Sequence, residues 1–180
     1  DKVVINSAAV KDPDFLKKLV EIYGASTISV NIETAQVNGK YKVFIETGRV
    51  NTEIDLYDWI EKVQKLNVGE IIITDIFSEG KNNGFNTNLF KEVRKNVDTQ
   101  LVAHGGAGPK ENILEMFAEC NVDAISIASL FHYHYLKSNK SSELKGSNYF
   151  IHFLNDDEKR GMSILELKKY LKSEGVKVRL

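Results

Sequence analysis

Cysteine is almost absent from this chain: among 180 residues there is one, Cys120. A lone thiol excludes an intramolecular disulfide framework and suits a reducing compartment, so stability has to come from a packed core. Cys120 falls late in a helical pattern, where buried packing is the natural reading. Long apolar runs are also lacking. None approaches the ~18 to 20 residues of a membrane span, and no signal-peptide pattern is present. Nor is there an excess of either charge, since 24 Lys and Arg stand against 25 Asp and Glu for a net charge of −1. That balance gives no support for a nucleic-acid or membrane-surface partner. Its one dense basic patch, Lys137 to Lys145, sits in a polar stretch. No second cysteine and no carboxylate cluster stands at metal-ligand spacing, so neither a metal nor another cofactor is expected.

What is present is 42% hydrophobic residues, enough for one globular unit with a sizeable core. Apolar runs alternate with amphipathic segments, the pattern of parallel βα units. Strands are expected at Val3 to Ile5, Thr27 to Ile32, Glu70 to Asp75, Leu101 to Ala103 and Ala124 to Ile127. Between them, helices are expected from Asp12-Pro13 to Gly24, from Asp55 to Leu66, from Thr87 to Asn96 and from Glu111 to Glu119. A last helix is expected from Ser163 to Lys172. Asp12 reads as an N-cap with Pro13 in the first helical position, and Phe15, Leu16, Leu19, Val20 and Ile22 as the buried face. Val37-Asn38-Gly39-Lys40 carries a strong hairpin signal, an excursion from the simple βα pattern. A polar segment over 136–162 interrupts the rhythm before the last helix and reads as an insertion; loops of that length are commonly functional or mobile.

The densest local signal is Ala103-His104-Gly105-Gly106-Ala107-Gly108-Pro109, followed by Ala124-Ile125-Ser126-Ile127-Ala128-Ser129. Each stretch reads as a short buried strand running into a loop and a helix N-terminus. Bare backbone amides and the helix dipole both favour an anion there. Parallel (βα)8 barrels build phosphate sites in this way, from the loops after strands seven and eight.

In that order, the segments resemble the cyclase subunit of imidazole glycerol phosphate synthase. Those that carry the resemblance are Val37-Asn38-Gly39, Gly69-Glu70-Ile71, Gly105-Gly106-Ala107-Gly108 and Ala128-Ser129-Leu130-Phe131-His132, within a likeness covering nearly the whole chain. The resemblance implies a (βα)8 TIM-barrel fold of which residues 1–180 supply strands four to eight. It also implies a lyase or synthase of histidine biosynthesis, acting in the cytoplasm on a phosphorylated small molecule with ammonia from a glutaminase subunit. Strands one to three would then come from a longer polypeptide, another chain or a second copy of this one, because five βα units leave sheet edges to be covered.

Carried over position by position, the family's phosphate contacts fall at Gly80, Gly106, Ala128 and Ser129, with Gly105 beside them, and at Asn6 and Ser7 for a second phosphate. For Asn6 and Ser7, helix-start capping is the other reading. Two catalytic aspartates of the family correspond to Glu33 and Glu79, and a serine corresponds to His104. A charged gate that admits ammonia corresponds to Lys2 and Glu70, for which a plain ion pair is the alternative. Glutamate keeps a carboxylate but displaces it by roughly one methylene, which matters for proton transfer. These departures leave two further readings open. One is a paralogue that channels ammonia toward sugar amidation in surface polysaccharide synthesis. The other is a non-catalytic half-barrel that self-associates.

Overall fold

A computed structural model describes residues 1–138 and 161–179. Most of the expected insertion over 136–162 therefore lies outside the described residues. The chain begins with strand β1 (Val3–Ile5) and helices α1 (Ser7–Lys11) and α2 (Pro13–Tyr23). Strands β2 (Ile28–Val37), β3 (Lys40–Ile45) and β4 (Val50–Asp55) follow, then helix α3 (Leu56–Lys65). Strand β5 (Glu70–Asp75) leads to α4 (Thr87–Arg94), β6 (Gln100–His104) to α5 (Lys110–Ala118), and β7 (Ala124–Ile125) to α6 (Ser129–Ser138). Helix α7 (Ile164–Ser173) ends the described order.

Strands β1, β2, β5, β6 and β7 pair in succession, every pair parallel. Parallel neighbours need a crossover, and here each crossover contains helix. All five carboxyl ends therefore lie along one edge of the sheet. Local chemistry starts the helices where they begin. Asp12 accepts the Phe15 N–H at 3.0 Å, Asp55 that of Tyr57 at 3.0 Å, and Asn86 that of Leu89 at 3.2 Å. Ser163 and Glu166 form a reciprocal capping box at α7. Each such cap contributes about 1 kcal/mol.

Register divides the sheet into two chemically distinct faces. Ser29, Asn31 and Glu33 share one face of β2, and their cross-strand partners Glu70, Ile72 and Thr74 on β5 share it too. On β6 the same rows continue as Gln100, Val102 and His104. Intervening residues Ile28, Val30, Ile32, Ile71, Ile73, Leu101 and Ala103 are all buried and belong to the main hydrophobic cluster. That cluster is closed by Leu56, Trp59, Ile60 and Val63 of α3, Leu89, Phe90 and Val93 of α4, and Ile113 and Met116 of α5. The aliphatic face thus takes the helices, and the largely polar face is left for other work.

Four expectations need adjusting. Strand β2 runs on to Val37, and its second half pairs with β3 on the edge that β1 occupies lower down. A further strand, β4, completes the excursion. Its residues Val50-Asn51-Thr52-Glu53-Ile54-Asp55 are mostly polar, Glu53 has φ 59°, and the ladder to β3 shifts register. No clean alternation survives in such a strand. On α2, Leu16 is fully buried but Phe15 and Ile22 are exposed. At 100° per residue those two sit about 100–120° round the helix from Leu16, on a flank that the sheet does not cover. Strand β7 stops at Ile125 because its neighbour β6 ends at His104, where the glycines turn the backbone away.

Cys120 is buried as expected, although α5 ends at Ala118 and leaves it in the bend just past the helix; burial pushes its thiol above the usual range, which keeps it protonated and inert. No helix among the described residues is long and apolar enough to cross a membrane.

Core and flank are separable by mutation. Phe90 is 0% exposed and stacks edge-on against Phe85 with ring centroids 6.0 Å apart. Phe90→Ala should lose about 3–5 kcal/mol in denaturant unfolding. Ile22→Ala, at a side chain 69% exposed, should stay within about 0.5 kcal/mol of the parent.

Candidate active site at the carboxyl edge of the sheet

The glycine cluster owes its composition first to the loop that crosses it. A Cβ on Gly105 would stand 2.6 Å from the Asp75 carbonyl oxygen, and one on Gly106 2.6 Å from that of Gly84. Both glycines also have positive φ, 89° and 104°. The Gly84 N–H donates to the Gly106 carbonyl at 2.8 Å, so the loop after β5 is laced onto the turn after β6. Only glycine lets two backbones approach this closely.

Between that loop, the cluster and the start of α6 lies a cavity of about 130 Å³. Glu79, Gly80, His104, Gly105, Gly106, Ala107, Ser126, Ile127, Ala128 and Ser129 line it. Of the residues marked by the sequence, Glu79, Gly80, His104, Gly105, Gly106, Ala128 and Ser129 are thus brought together. The first helical bond of α6 runs from the His132 N–H to the Ala128 carbonyl at 3.0 Å. Amides earlier in the helix precede its own ladder and face the cavity end with the positive pole of the dipole. His132 and His134 lie further along α6 and do not line the cavity.

Glu33, Asn6 and Ser7 occupy the same edge of the sheet but do not line this cavity. The Glu33 side chain, on a residue 7% exposed, accepts the Gly48 N–H at 2.9 Å and so ties the β3–β4 loop to β2. Ser7 accepts the Glu46 N–H at 2.9 Å, and Lys11 pairs with Glu46 at 2.7 Å. That lysine's hydrogen bond and charge hold the Glu46 carboxyl below its ordinary range. Asn6 makes no side-chain cap on α1, so simple capping does not account for it.

At the opposite edge, Lys2 and Glu70 meet as an ion pair of 2.7 Å. Glu70 also accepts the Ser29 hydroxyl at 2.8 Å, and Lys2 reaches Gln100 at 3.5 Å. Four polar side chains, Lys2 just ahead of β1 and Ser29, Glu70 and Gln100 at the starts of β2, β5 and β6, therefore close one end of the polar face.

Residues outside the sequence-marked set also shape the site. Thr74, buried, donates its hydroxyl proton to Asn31 Oδ1 at 2.8 Å and lies 3.0 Å from His104 Nδ1. Asn82, also buried, accepts the Ser129 hydroxyl at 2.6 Å, while its Nδ2 has no partner among the described residues. Asp75 accepts the Phe77 N–H at 3.1 Å and the Ser78 hydroxyl at 2.8 Å, which sets the turn after β5. Strand alternation places Thr74 beside His104; only the folded loop reveals Asn82. Among the described residues no group of three or more His, Cys, Asp or Glu side chains could hold a metal ion.

Parallel strands crossing through helices, with a small amide-lined cavity at their carboxyl ends, place this sheet in the (βα)8 barrel class. The chain belongs to the histidine biosynthesis protein family, whose model matches residues 1–137. It is similar to imidazole glycerol phosphate synthase subunit HisF of Dehalococcoides mccartyi, with 34% identity over 180 residues, 100% of this chain and 61% of that protein. The subunit HisF of Bacillus cereus is 40% identical over 134 residues, 74% of this chain and 53% of the relative. That of Clostridium botulinum is 34% identical over 182 residues, 100% and 62% respectively. The chain spans a little over half to about three fifths of the length of these curated relatives.

Glu33 offers a direct check on the geometry. Glu33→Ala should leave the Gly48 amide without its acceptor and lower local stability by about 1–3 kcal/mol. Amide hydrogen exchange at Gly48 should quicken accordingly. Glu33→Gln retains an acceptor oxygen and should keep most of the protection.

Proposed function

We propose that this chain is the substrate-holding part of an ammonia-using cyclase of the imidazole glycerol phosphate synthase type, a lyase of histidine biosynthesis acting in the cytoplasm. The observation that carries the proposal is the cavity in which backbone from Gly80, Gly105, Gly106, Ala128 and Ser129 converges beside Glu79 and His104. A phosphate oxygen accepts hydrogen bonds only, and a wall of amides at a helix N-terminus supplies donors only. The orphaned Nδ2 of Asn82, one hydrogen bond from Ser129, is a further donor with no acceptor among the described residues. Asn6 and Ser7 take the second phosphate. Ser7 uses an oxygen lone pair on Glu46, and so keeps its own proton for a ligand.

Ammonia adding to an electrophilic carbon sheds a proton, and the groups that depart take one up, so ring closure needs an acid and a base. Glu33, Glu79 and His104 fill these roles. Ammonia reaches them from a glutaminase partner docked at the Lys2–Glu70 end, the charged pair acting as its gate. Residues 1–180 belong to a single barrel domain, and 136–162 is an insertion in it. Val3 and Val4 of β1, each 52% exposed, mark the edge where further strands or a second copy of the chain would cover the sheet.

A second reading is sugar amidation by a paralogue that keeps ammonia delivery and changes the acceptor. Glu33 favours it, because its carboxylate is engaged with Gly48 and is less free for proton transfer. Ammonia-dependent turnover of the histidine-pathway nucleotide by the intact protein separates the two. Turnover supports the cyclase. None at saturating ammonia, with the phosphate site intact, leaves amidation.

Gly80 provides the test of the phosphate site. It has φ 74° and open space where a Cβ would go, a conformation that Asp and Asn tolerate. Gly80→Asp should weaken phosphate binding at least tenfold in calorimetric titration, whereas Gly80→Asn should stay within about threefold. Equal affinities for both variants and the parent would sink the site.

A further inference from the structure

His104 lines the substrate cavity, but one of its two ring nitrogens is already committed. The Thr74 hydroxyl has a single proton, and that proton is donated to Asn31 Oδ1 at 2.8 Å. His104 Nδ1 lies 3.0 Å from the same oxygen. With the proton spent, the oxygen can only accept, so Nδ1 has to be the donor. A neutral imidazole carries one N–H, and the bond made by one nitrogen decides the state of the other. Nε2 is then left with its lone pair, and it has no protein partner among the described residues.

We propose that Thr74 and Asn31 are positioning residues that hold neutral His104 in the Nδ1–H tautomer, so that its bare Nε2 selects a hydrogen-bond donor on the substrate. The relay crosses three neighbouring strands, from Asn31 on β2 through Thr74 on β5 to His104 on β6. All three share the polar face, since Glu33, Thr74 and His104 are aligned in the ladder and Asn31 precedes Glu33 by two residues. Thr74 is buried, which keeps water from competing for its hydroxyl.

The consequence is a cavity with two kinds of recognition. Backbone amides at Gly106 and the start of α6 take an acceptor-only group, a phosphate. Nε2 takes a group that brings its own proton, such as a hydroxyl, an amine or a ring N–H. A bare phosphate oxygen against Nε2 is rejected, lone pair to lone pair. The ligand class is therefore a phosphorylated molecule with an N–H or O–H donor placed to meet His104. This rests on the cavity being the substrate site, but the tautomer itself does not.

The experiment is long-range proton–nitrogen correlation on the nitrogen-labelled, ligand-free intact protein, in alkaline buffer where imidazoles are neutral. Four histidines are present, and the set lost in His104→Gln assigns the signals. The native protein should show His104 Nδ1 as the protonated, pyrrole-type nitrogen and Nε2 as the unprotonated, pyridine-type one. Thr74→Val should move the proton to Nε2, the form free histidine prefers in water. Thr74→Ser should restore the native pattern. In Asn31→Ala the freed Thr74 proton can turn toward Nδ1, so a shift toward Nε2–H is expected there too. A native Nε2–H pattern would mean that Asn31 presents its amide nitrogen to Thr74, and would overturn the proposal. So would an unchanged pattern in a folded Thr74→Val. If Thr74→Val fails to fold, the native spectrum decides by itself. Because the readout needs no ligand, a failed phosphate titration or turnover assay leaves this result intact, and the reverse holds equally.

Discussion

Parallel pairing of β2, β5 and β6 in a single register is what the rest of this structure depends on. Once Glu33, Thr74 and His104 are aligned, every residue two positions away is fixed to the same face. Ser29, Glu70 and Gln100 then fall together at one end and the catalytic candidates at the other. A slip of one residue would turn Ile71 and Ile73 of β5 toward the polar side and bury its glutamate and threonine against helices α3 and α4. The aliphatic row prevents that slip, since burying those side chains is worth about 1.5–3 kcal/mol each. Hydrophobic packing on one face thus holds the chemistry in place on the other.

The loop after β5 has a comparable effect on the cavity. It turns on Asp75, is laced to Gly106 through Gly84, and reaches Ser129 through Asn82. Three separate βα connections are joined in this way into one wall. The glycines at 105 and 106 fit both purposes at once, admitting the loop backbone and leaving amides uncovered. The hairpin of β3 and β4 is fastened to the same edge from other directions, by Ser7, Lys11, Glu33 and Asn86, the last through Tyr41.

Much of this was legible in the sequence, and the reasons differ by element. Helix α3 could be read almost to the residue because Asp55 caps it and Leu56, Trp59, Ile60 and Val63 keep strict helical spacing. Strand β5 was legible because a run of isoleucines has no other comfortable place. The Asn38-Gly39 turn declared its hairpin. Strand β4 was not legible, since an irregular edge strand with a polar majority carries no period. The exposure of Phe15 and Ile22 was hidden for a different reason: composition marks a residue as apolar but not which neighbour is there to cover it. At the site, the glycine cluster and the residues around it were found by pattern and resemblance. Thr74, Asn31 and Asn82 were not, because their significance lies in contacts across 43 and 47 positions of sequence, which no local motif encodes.

The two-faced sheet has a consequence for how such a protein changes over time. Residues facing the helices carry the cohesion of the fold, and through the middle of the central strands they are aliphatic. Those on the other face lie outside that cluster, so polar side chains can be exchanged there with less risk to assembly. Innovation is cheap on one side of the sheet because conservatism is enforced on the other. A scaffold built like this can keep its fold while the chemistry on its open face drifts.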